Sequence, residues 1–137
     1  MNSWVFFICV SMIFAVAKSV PGGWRTVTDL NSPEIQKNSQ KAAALVGKSM
    51  NSQYHMKLMN VTKVETQVVS GINYKFEMSI APTECKKSEN LNEQQIEDCP
   101  LQKCGEPLHC NVIMWVQSWM NSYKVTNSSC QSGKPSC

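Results

Sequence analysis

The pattern of apolar and polar positions predicts one long helix in the first half of the chain. Ser32 can cap its start, and Pro33 suits the first helical position. Asn51-Ser52 ends the periodic segment, which gives a helix of about 16–18 residues. Gly47 can let this helix sit close against a sheet. The apolar residues that recur at spacings of three, four and seven are Ile35, Ala42, Ala43, Val46 and Met50.

Two strand-like segments follow and predict an antiparallel hairpin. Tyr54–Val69 shows two stretches of alternation that lose phase near Val61, which indicates a β-bulge. Residues 72–80 alternate without interruption, with apolar residues at the even positions and polar residues between them. This pattern is typical of a strand with one buried face and one solvated face. Val69-Ser70-Gly71 leaves little chain between the two segments, so the turn is tight.

Two more strands are predicted toward the C-terminus, at residues 110–117 and 123–129, with Ser118-Trp119 in the turn between them. Residues 82–107 are polar and irregular, and we expect disulfides to hold them. One helix followed by four strands indicates an α+β fold, in which the helix packs across one face of an antiparallel sheet.

The N-terminus is predicted to be a targeting segment. Residues 4–17 are almost entirely apolar and carry no charge, but they are too few for a membrane span. Ala15-Val16-Ala17 is a small-x-small cleavage signal, followed by Lys18. We therefore expect residues 1–17 to be a secretory signal peptide and residues 18–137 to form one secreted domain, with no membrane association after cleavage. The alternative is a signal anchor.

Charge gives little support to nucleic-acid binding. The formal net charge is +3, and the longest cluster of basic residues is Lys86-Lys87. Two acceptor motifs for N-glycosylation, at Asn60 and Asn127, agree with export.

Cysteine usage also favours export. Of the seven cysteines, Cys9 falls in the predicted signal peptide, and an even number remains in the second half of the chain. Such a count in a small exported chain indicates disulfides, whose pairing the count alone leaves open. Cys99, Cys104, His109 and Cys110 offer a zinc alternative, but they lack a Cys-x-x-Cys pair. We expect no metal and no cofactor.

These features together resemble the secreted type 2 cystatins, which are inhibitors of papain-like cysteine proteases. The resemblance covers residues 22–130. Its parts occur in order: Gly22-Gly23, one helix, Gln67-Val68-Val69-Ser70-Gly71, four cysteines, and a second hairpin with Trp119. It implies one long helix packed across a twisted antiparallel sheet of roughly four to five strands.

The resemblance also implies a reversible, tight-binding inhibitor of cathepsin-type proteases that acts as a monomer and is not an enzyme. Three segments would enter the protease cleft. They are the trunk formed by Val20, Pro21, Gly22 and Gly23, the hairpin formed by Gln67, Val68, Val69, Ser70 and Gly71, and the turn with Ser118 and Trp119. One departure is Ser118, where the family commonly has proline. The alternatives for the apolar residues are valines that fold back onto the core and a Trp119 that packs in the core or against an edge.

The family's disulfide pattern implies the pairs Cys85–Cys99 and Cys110–Cys130. We predict a third pair between Cys104 and Cys137, and pairing with another chain is the alternative. Some family members also inhibit legumain through an asparagine after the helix, where this chain has Asn51; the alternative is that Asn51 only ends the helix. The alternative function for the whole chain is that of a cystatin-fold binding or signalling protein that has lost protease inhibition.

Overall fold

One long helix lies across one face of a five-stranded antiparallel sheet in the computed structural model, which describes residues 23–135 and Cys137. The predicted signal peptide and Val20, Pro21 and Gly22 fall outside these described residues. The α+β architecture is confirmed. The elements are β1 (Arg25–Thr26), α1 (Pro33–Ser49), β2 (Tyr54–Val69), β3 (Gly71–Lys86), α2 (Glu93–Glu97), β4 (Leu108–Gln117), a 3-10 turn (Ser118–Met120) and β5 (Ser122–Ser132).

The long helix α1 begins and ends as its sequence predicts. The Ser32 side chain accepts a hydrogen bond from the Ile35 amide at 3.4 Å, and α1 runs for 17 residues. Gly47 is needed for close packing, because an added Cβ would lie 2.9 Å from Met56 Cβ on β2. None of the helices in the described part of the chain is long and apolar enough to span a bilayer.

The strands lie in sequence order, and every neighbouring pair is antiparallel. The pairing of β2 with β3 shifts in register at three places, one of them between Val61 and Lys63, where the alternation loses phase. The core lies between α1 and the inner face of the sheet. Its fully buried side chains include Ala42, Val64, Phe76, Ile80, Val112 and Met114.

The region predicted to be irregular, residues 82–107, is more ordered than expected. β3 continues through Pro82 to Lys86. β4 pairs with β3 only as far as Ile80, and beyond that point the same edge of β3 makes only an isolated bridge, between Thr83 and Leu101. Proline is tolerated there because no regular ladder requires its amide. Helix α2 forms inside the region because Asn92 and Gln95 make a reciprocal capping box.

Three disulfides secure the same region and the last strand. Cys85–Cys99 connects β3 to the end of α2, Cys110–Cys130 joins β4 to β5, and Cys104–Cys137 fastens the C-terminus. The pairs are those that the family pattern and the two remaining cysteines suggested. All six cysteines of the described residues are therefore bonded within the chain. No group of three or more His, Cys, Asp or Glu side chains in residues 23–135 could hold a metal ion.

An ion pair joins the two helices. Lys41 Nζ on α1 lies 2.7 Å from Glu93 Oε1 on α2, and both side chains are about one-third exposed. The hydrogen bond from Lys41 is the main reason why the pKa of Glu93 is lowered. A group with a lowered pKa stabilises the fold above its unfolded-state pKa, and this contribution is lost as pH falls through the folded-state pKa.

We therefore expect Glu93→Gln to lower the free energy of unfolding at about pH 7 by up to about 1 kcal/mol, because the pair is partly exposed. The difference from the natural protein should shrink as pH falls from 7 through the lowered pKa of Glu93, and it should vanish once Glu93 is protonated. Denaturant unfolding across this pH range measures it. Burial raises the pKa of Glu97, but that contribution is common to both proteins and cancels. The exposed Glu106 gives the control: Glu106→Gln should show no such pH-dependent difference.

Candidate functional site

The tip of the β2–β3 hairpin presents two valines to solvent. Val68 is 73% exposed and Val69 is 40% exposed. They pair across the hairpin with Ile72 and Gly71, which leaves Ser70 alone at the turn. Both side chains are thus exposed to solvent at the end of the hairpin, and the alternative in which they fold back onto the core does not describe this structure.

Gly71 shapes this tip through its backbone. Its φ is +97°, in the region that favours glycine. An added Cβ would lie 2.3 Å from the Val116 carbonyl oxygen of β4. Any other residue here must therefore strain the backbone and push the hairpin away from β4.

The tip is also fixed by donors from β4 that the sequence analysis did not single out. Trp115 Nε1 donates to the Ser70 carbonyl oxygen at 2.8 Å, and Gln117 Nε2 donates to the same oxygen at 3.4 Å. The Gln67 side chain accepts a hydrogen bond from Asn73 Nδ2 at 3.2 Å. The available signal was the alternation of β4, which places Trp115 on the polar outer face of the sheet.

The second hairpin presents a tryptophan and a methionine. Trp119 is 62% exposed and Met120 is 65% exposed. Asn121 ends the 3-10 turn with a left-handed backbone, φ 48°, and its amide donates to the Ser118 carbonyl at 3.1 Å. Trp119 therefore does not lie in the core. Met120 was missed by the sequence analysis, although it is a large apolar residue beside Trp119 in a turn.

The N-terminal segment joins the sheet beside the first hairpin. Arg25 pairs with Thr66, and continuing this register by two residues places Gly23 opposite Val68. The Trp24 ring lies beneath Lys75, whose Nζ is 4.5 Å from the ring centroid. This contact holds the exposed Gly23 beside the hairpin tip.

Gly23, residues 67–71 and residues 118–120 thus lie together at one end of the sheet; we call them the apolar edge. A cavity of about 450 Å³ separates the second hairpin from the start of α1. Beside it, Tyr74 Oη donates to Glu34 at 2.8 Å, and burial followed by this bond raises the pKa of Tyr74 well above its usual range. The second hairpin is therefore positioned by β4 and β5 rather than by the helix.

The apolar edge carries groups for binding rather than for covalent chemistry. His55 is buried away from it, and its Nε2 donates to the Glu89 carbonyl at 2.8 Å. His109 Nδ1 shares a 2.8 Å hydrogen bond with Ser79 Oγ on the outer face of the sheet. The described cysteines are all in disulfides, so the described residues contain no thiol that either histidine could activate.

Comparison with known proteins identifies the family. The family model of the cystatin domain matches residues 22–119. The chain belongs to the cystatin family. Cystatins are inhibitors of cysteine proteases rather than enzymes, which supports that class of function at the level of the family.

Curated relatives and solved structures agree with this assignment. The chain is 34% identical to "Cystatin-1" of Chilobrachys guangxiensis over 97% of its length and 98% of the relative's. It is 32% identical to "L-cystatin" of Tachypleus tridentatus, covering 93% of this chain and 94% of that one. The structure of dimeric human cystatin F has the same fold, with a TM-score of 0.74 and 24% identity over 87% of this chain and 94% of that one. The crystal structure of Al-CPI matches with a TM-score of 0.66 and 32% identity, covering 82% of this cystatin and all of that chain.

Asn51 lies at the other end of this cystatin. It is exposed after α1 and precedes β2, whose 16 residues span about 50 Å at the usual rise per residue. Lys87 Nζ donates to the neighbouring Met50 carbonyl at 2.7 Å, which fixes the chain before Asn51. Asn51 and the apolar edge therefore lie at opposite ends of β2. The acceptor residues Asn60 and Asn127 are also exposed, on β2 and β5.

Proposed function

We propose that this cystatin is a secreted, reversible, tight-binding inhibitor of papain-like cysteine proteases of the cathepsin type. The apolar edge would enter the protease's active-site cleft together with Val20, Pro21 and Gly22. The observation that carries the proposal is the clustering of Val68, Trp119 and Met120, each more than 60% exposed, at one end of the sheet. Large apolar side chains grouped at loop tips mark a surface that a partner covers.

Such an edge inhibits without chemistry. The trunk at residues 20–23 would lie in the non-primed substrate pockets, and Gly22 would let the backbone turn away from the catalytic thiolate. Gln67, Val68, Val69, Ser70 and Gly71 would fill the middle of the cleft, with Ser118 and Trp119 on the far side. The protease is blocked because no peptide bond reaches its nucleophile.

Preformed loops favour tight binding in this proposal. The turn at Gly71 and the turn at Asn121 each hold a backbone conformation that few residues adopt. Because the loops are already ordered, docking loses little conformational entropy. Apolar contact area then contributes to affinity with little of that cost.

The second candidate is a cystatin-fold binding or signalling protein that has lost inhibition. Ser118 favours it, since the missing proline leaves φ freer at the second hairpin and raises the entropy lost on docking. The two candidates share a fold and differ in whether the edge reaches a protease cleft.

Titration of papain and cathepsin L with the purified, disulfide-bonded protein separates them. We expect stoichiometric loss of activity, recovery of activity on dilution, and an inhibitor of unchanged mass after long incubation. Pepsin, an aspartic protease, serves as the control and should keep full activity. The absence of cysteine protease inhibition at micromolar concentration would exclude the proposal and leave the second candidate.

Asn51 is proposed as a separate site for legumain, because an exposed asparagine beyond the helix suits an Asn-specific protease. Asn51→Ala should abolish legumain inhibition and leave papain inhibition intact. The matched control is Asn90→Ala, which removes an exposed asparagine from another loop. If legumain responds equally to the natural protein and to Asn51→Ala, Asn51 only ends the helix.

We also propose that this cystatin is exported and that it is glycosylated at Asn60 and Asn127. A eukaryotic expression host should release a monomer that begins at Lys18. Glycosidase treatment should lower its mass, and Asn60→Gln with Asn127→Gln should remove that change. Retention of residues 1–17 in a membrane fraction would instead indicate a signal anchor.

A further inference from the structure

The Ser70 carbonyl is held by two side chains of another strand. Trp115 Nε1 approaches it to 2.8 Å and Gln117 Nε2 to 3.4 Å. Both donors belong to β4, 45 and 47 residues along the chain from Ser70. A carbonyl at the tip of an exposed hairpin would ordinarily bond to water, so this arrangement restricts a group that could otherwise rotate.

The restricted group controls the backbone on either side of it. The Ser70 carbonyl belongs to the peptide that leads into Gly71, and Gly71 has φ +97°. Holding the oxygen fixes the plane of that peptide. The preceding residues, Val68 and Val69, then keep their exposed orientation. Gly71 by itself would permit this turn, but it would also permit other turn conformations, because the glycine backbone is less restricted than that of any other residue.

Packing in the core does not explain the position of the Trp115 side chain. Its neighbours Met114 and Val116 face the core, so its own side chain lies on the outer face of the sheet. Replacing it leaves no core cavity. Gln117 is the residue from which the 3-10 turn of the second hairpin begins. The donors are thus continuous with the segment that carries Trp119.

We infer that Trp115 and Gln117 are positioning residues that fasten the first hairpin to the second, so that the two enter a protease cleft as one rigid unit. The inference rests on the proposed inhibitory function. The family commonly has a proline where this chain has Ser118, and a proline would make that turn more rigid. In this chain the hydrogen bonds between the two hairpins supply rigidity instead. Neither residue needs to touch the protease.

The test is Trp115→Phe, which keeps an aromatic ring and removes the indole donor. A loosened hairpin is binding-competent for only a fraction of the time, so the association rate should fall in proportion to that fraction. We expect a drop of about five- to tenfold in the association rate with papain. The dissociation rate should change by less than about twofold, because contacts in the complex are retained.

Gln117→Ala provides a second variant with the same sign and a smaller effect, since its hydrogen bond is longer. Asn111→Ala is the matched control, because Asn111 lies on the same outer face of β4, farther from the tip. Thermal unfolding checks that all variants fold. Backbone ¹⁵N relaxation of Val69, Ser70 and Gly71 in the free protein is the readout that does not depend on any protease, and it should show lost order in Trp115→Phe only at the tip.

The outcomes separate this inference from the proposed function. Unchanged association rates in both variants, with a natural protein that inhibits, overturn the inference alone. A faster dissociation at unchanged association makes Trp115 a contact residue and also overturns it. A natural protein that does not inhibit overturns the proposed function. In that case, relaxation decides whether the two donors still order the hairpin, and unchanged order at residues 69–71 rejects that role.

Discussion

Gly71→Ala should weaken inhibition of papain by about 100-fold, the equivalent of about 3 kcal/mol. Two effects add. An alanine at φ +97° is strained, and its Cβ would lie 2.3 Å from the Val116 carbonyl oxygen. Relief of the clash must move the hairpin away from β4, and Val68 and Val69 move with it. The inhibition constant, measured by titration of papain, checks the expectation.

The matched control for this change is Gly133→Ala. An added Cβ at Gly133 would lie 3.1 Å from the Pro107 carbonyl oxygen, so this site is also crowded. It follows β5 at the end of the sheet that lies away from the apolar edge. We expect an inhibition constant within about twofold of the natural value. Equal inhibition by Gly71→Ala and the natural protein would show that the hairpin backbone does not set affinity.

Trp119→Ala should raise the dissociation constant by about 30- to 1,000-fold, which corresponds to about 2–4 kcal/mol. Tryptophan is a frequent energetic anchor at protein interfaces, and Trp119 is 62% exposed before any partner binds. Because so much of its side chain contacts solvent, its removal should change the free energy of unfolding by less than about 0.5 kcal/mol. Binding kinetics should show the loss mainly as faster dissociation.

An exposed apolar side chain need not contact the protease, and Met59→Ala tests this point. Met59 is 51% exposed on β2, away from the apolar edge. Its truncation should leave affinity unchanged. An equal loss of affinity in both variants, or none in Trp119→Ala, would place the protease contact elsewhere on the molecule.

The helix and the central hairpin were predictable because their signals are local. Ser32, Pro33 and the apolar stripe of α1 need only neighbouring residues to be read, and so does the alternation of residues 72–80. β1 was not predicted, because Arg25 and Thr26 form a strand only by pairing with Thr66 and Glu65 on β2. β3 likewise continues beyond Pro82 through distant partners, since Lys86 pairs with Tyr54 on β2 and Thr83 bridges Leu101.

Less of the candidate site could be predicted. The Gln67–Gly71 pentapeptide and Trp119 stand out as residues in turns. The role of Trp115 does not stand out in the sequence. A tryptophan on a strand is readily interpreted as a packing residue, and its partner Ser70 is distant in sequence. Trp24 was missed for a similar reason, since its contact with Lys75 requires the register of three strands.

The turn at Ser70 also bears on how this protein folds. β2 and β3 are each 16 residues long and are joined by a single residue, so their contacts lie close together in sequence at the tip. Local contacts form quickly, and a hairpin can grow outward from its turn in microseconds. The turn also sets the register, and a slip of one residue would place Val64 and Phe76 on the wrong face of the sheet. The segment proposed to meet the protease is thus also a natural place for the sheet to start, and substitutions there would alter folding kinetics together with affinity.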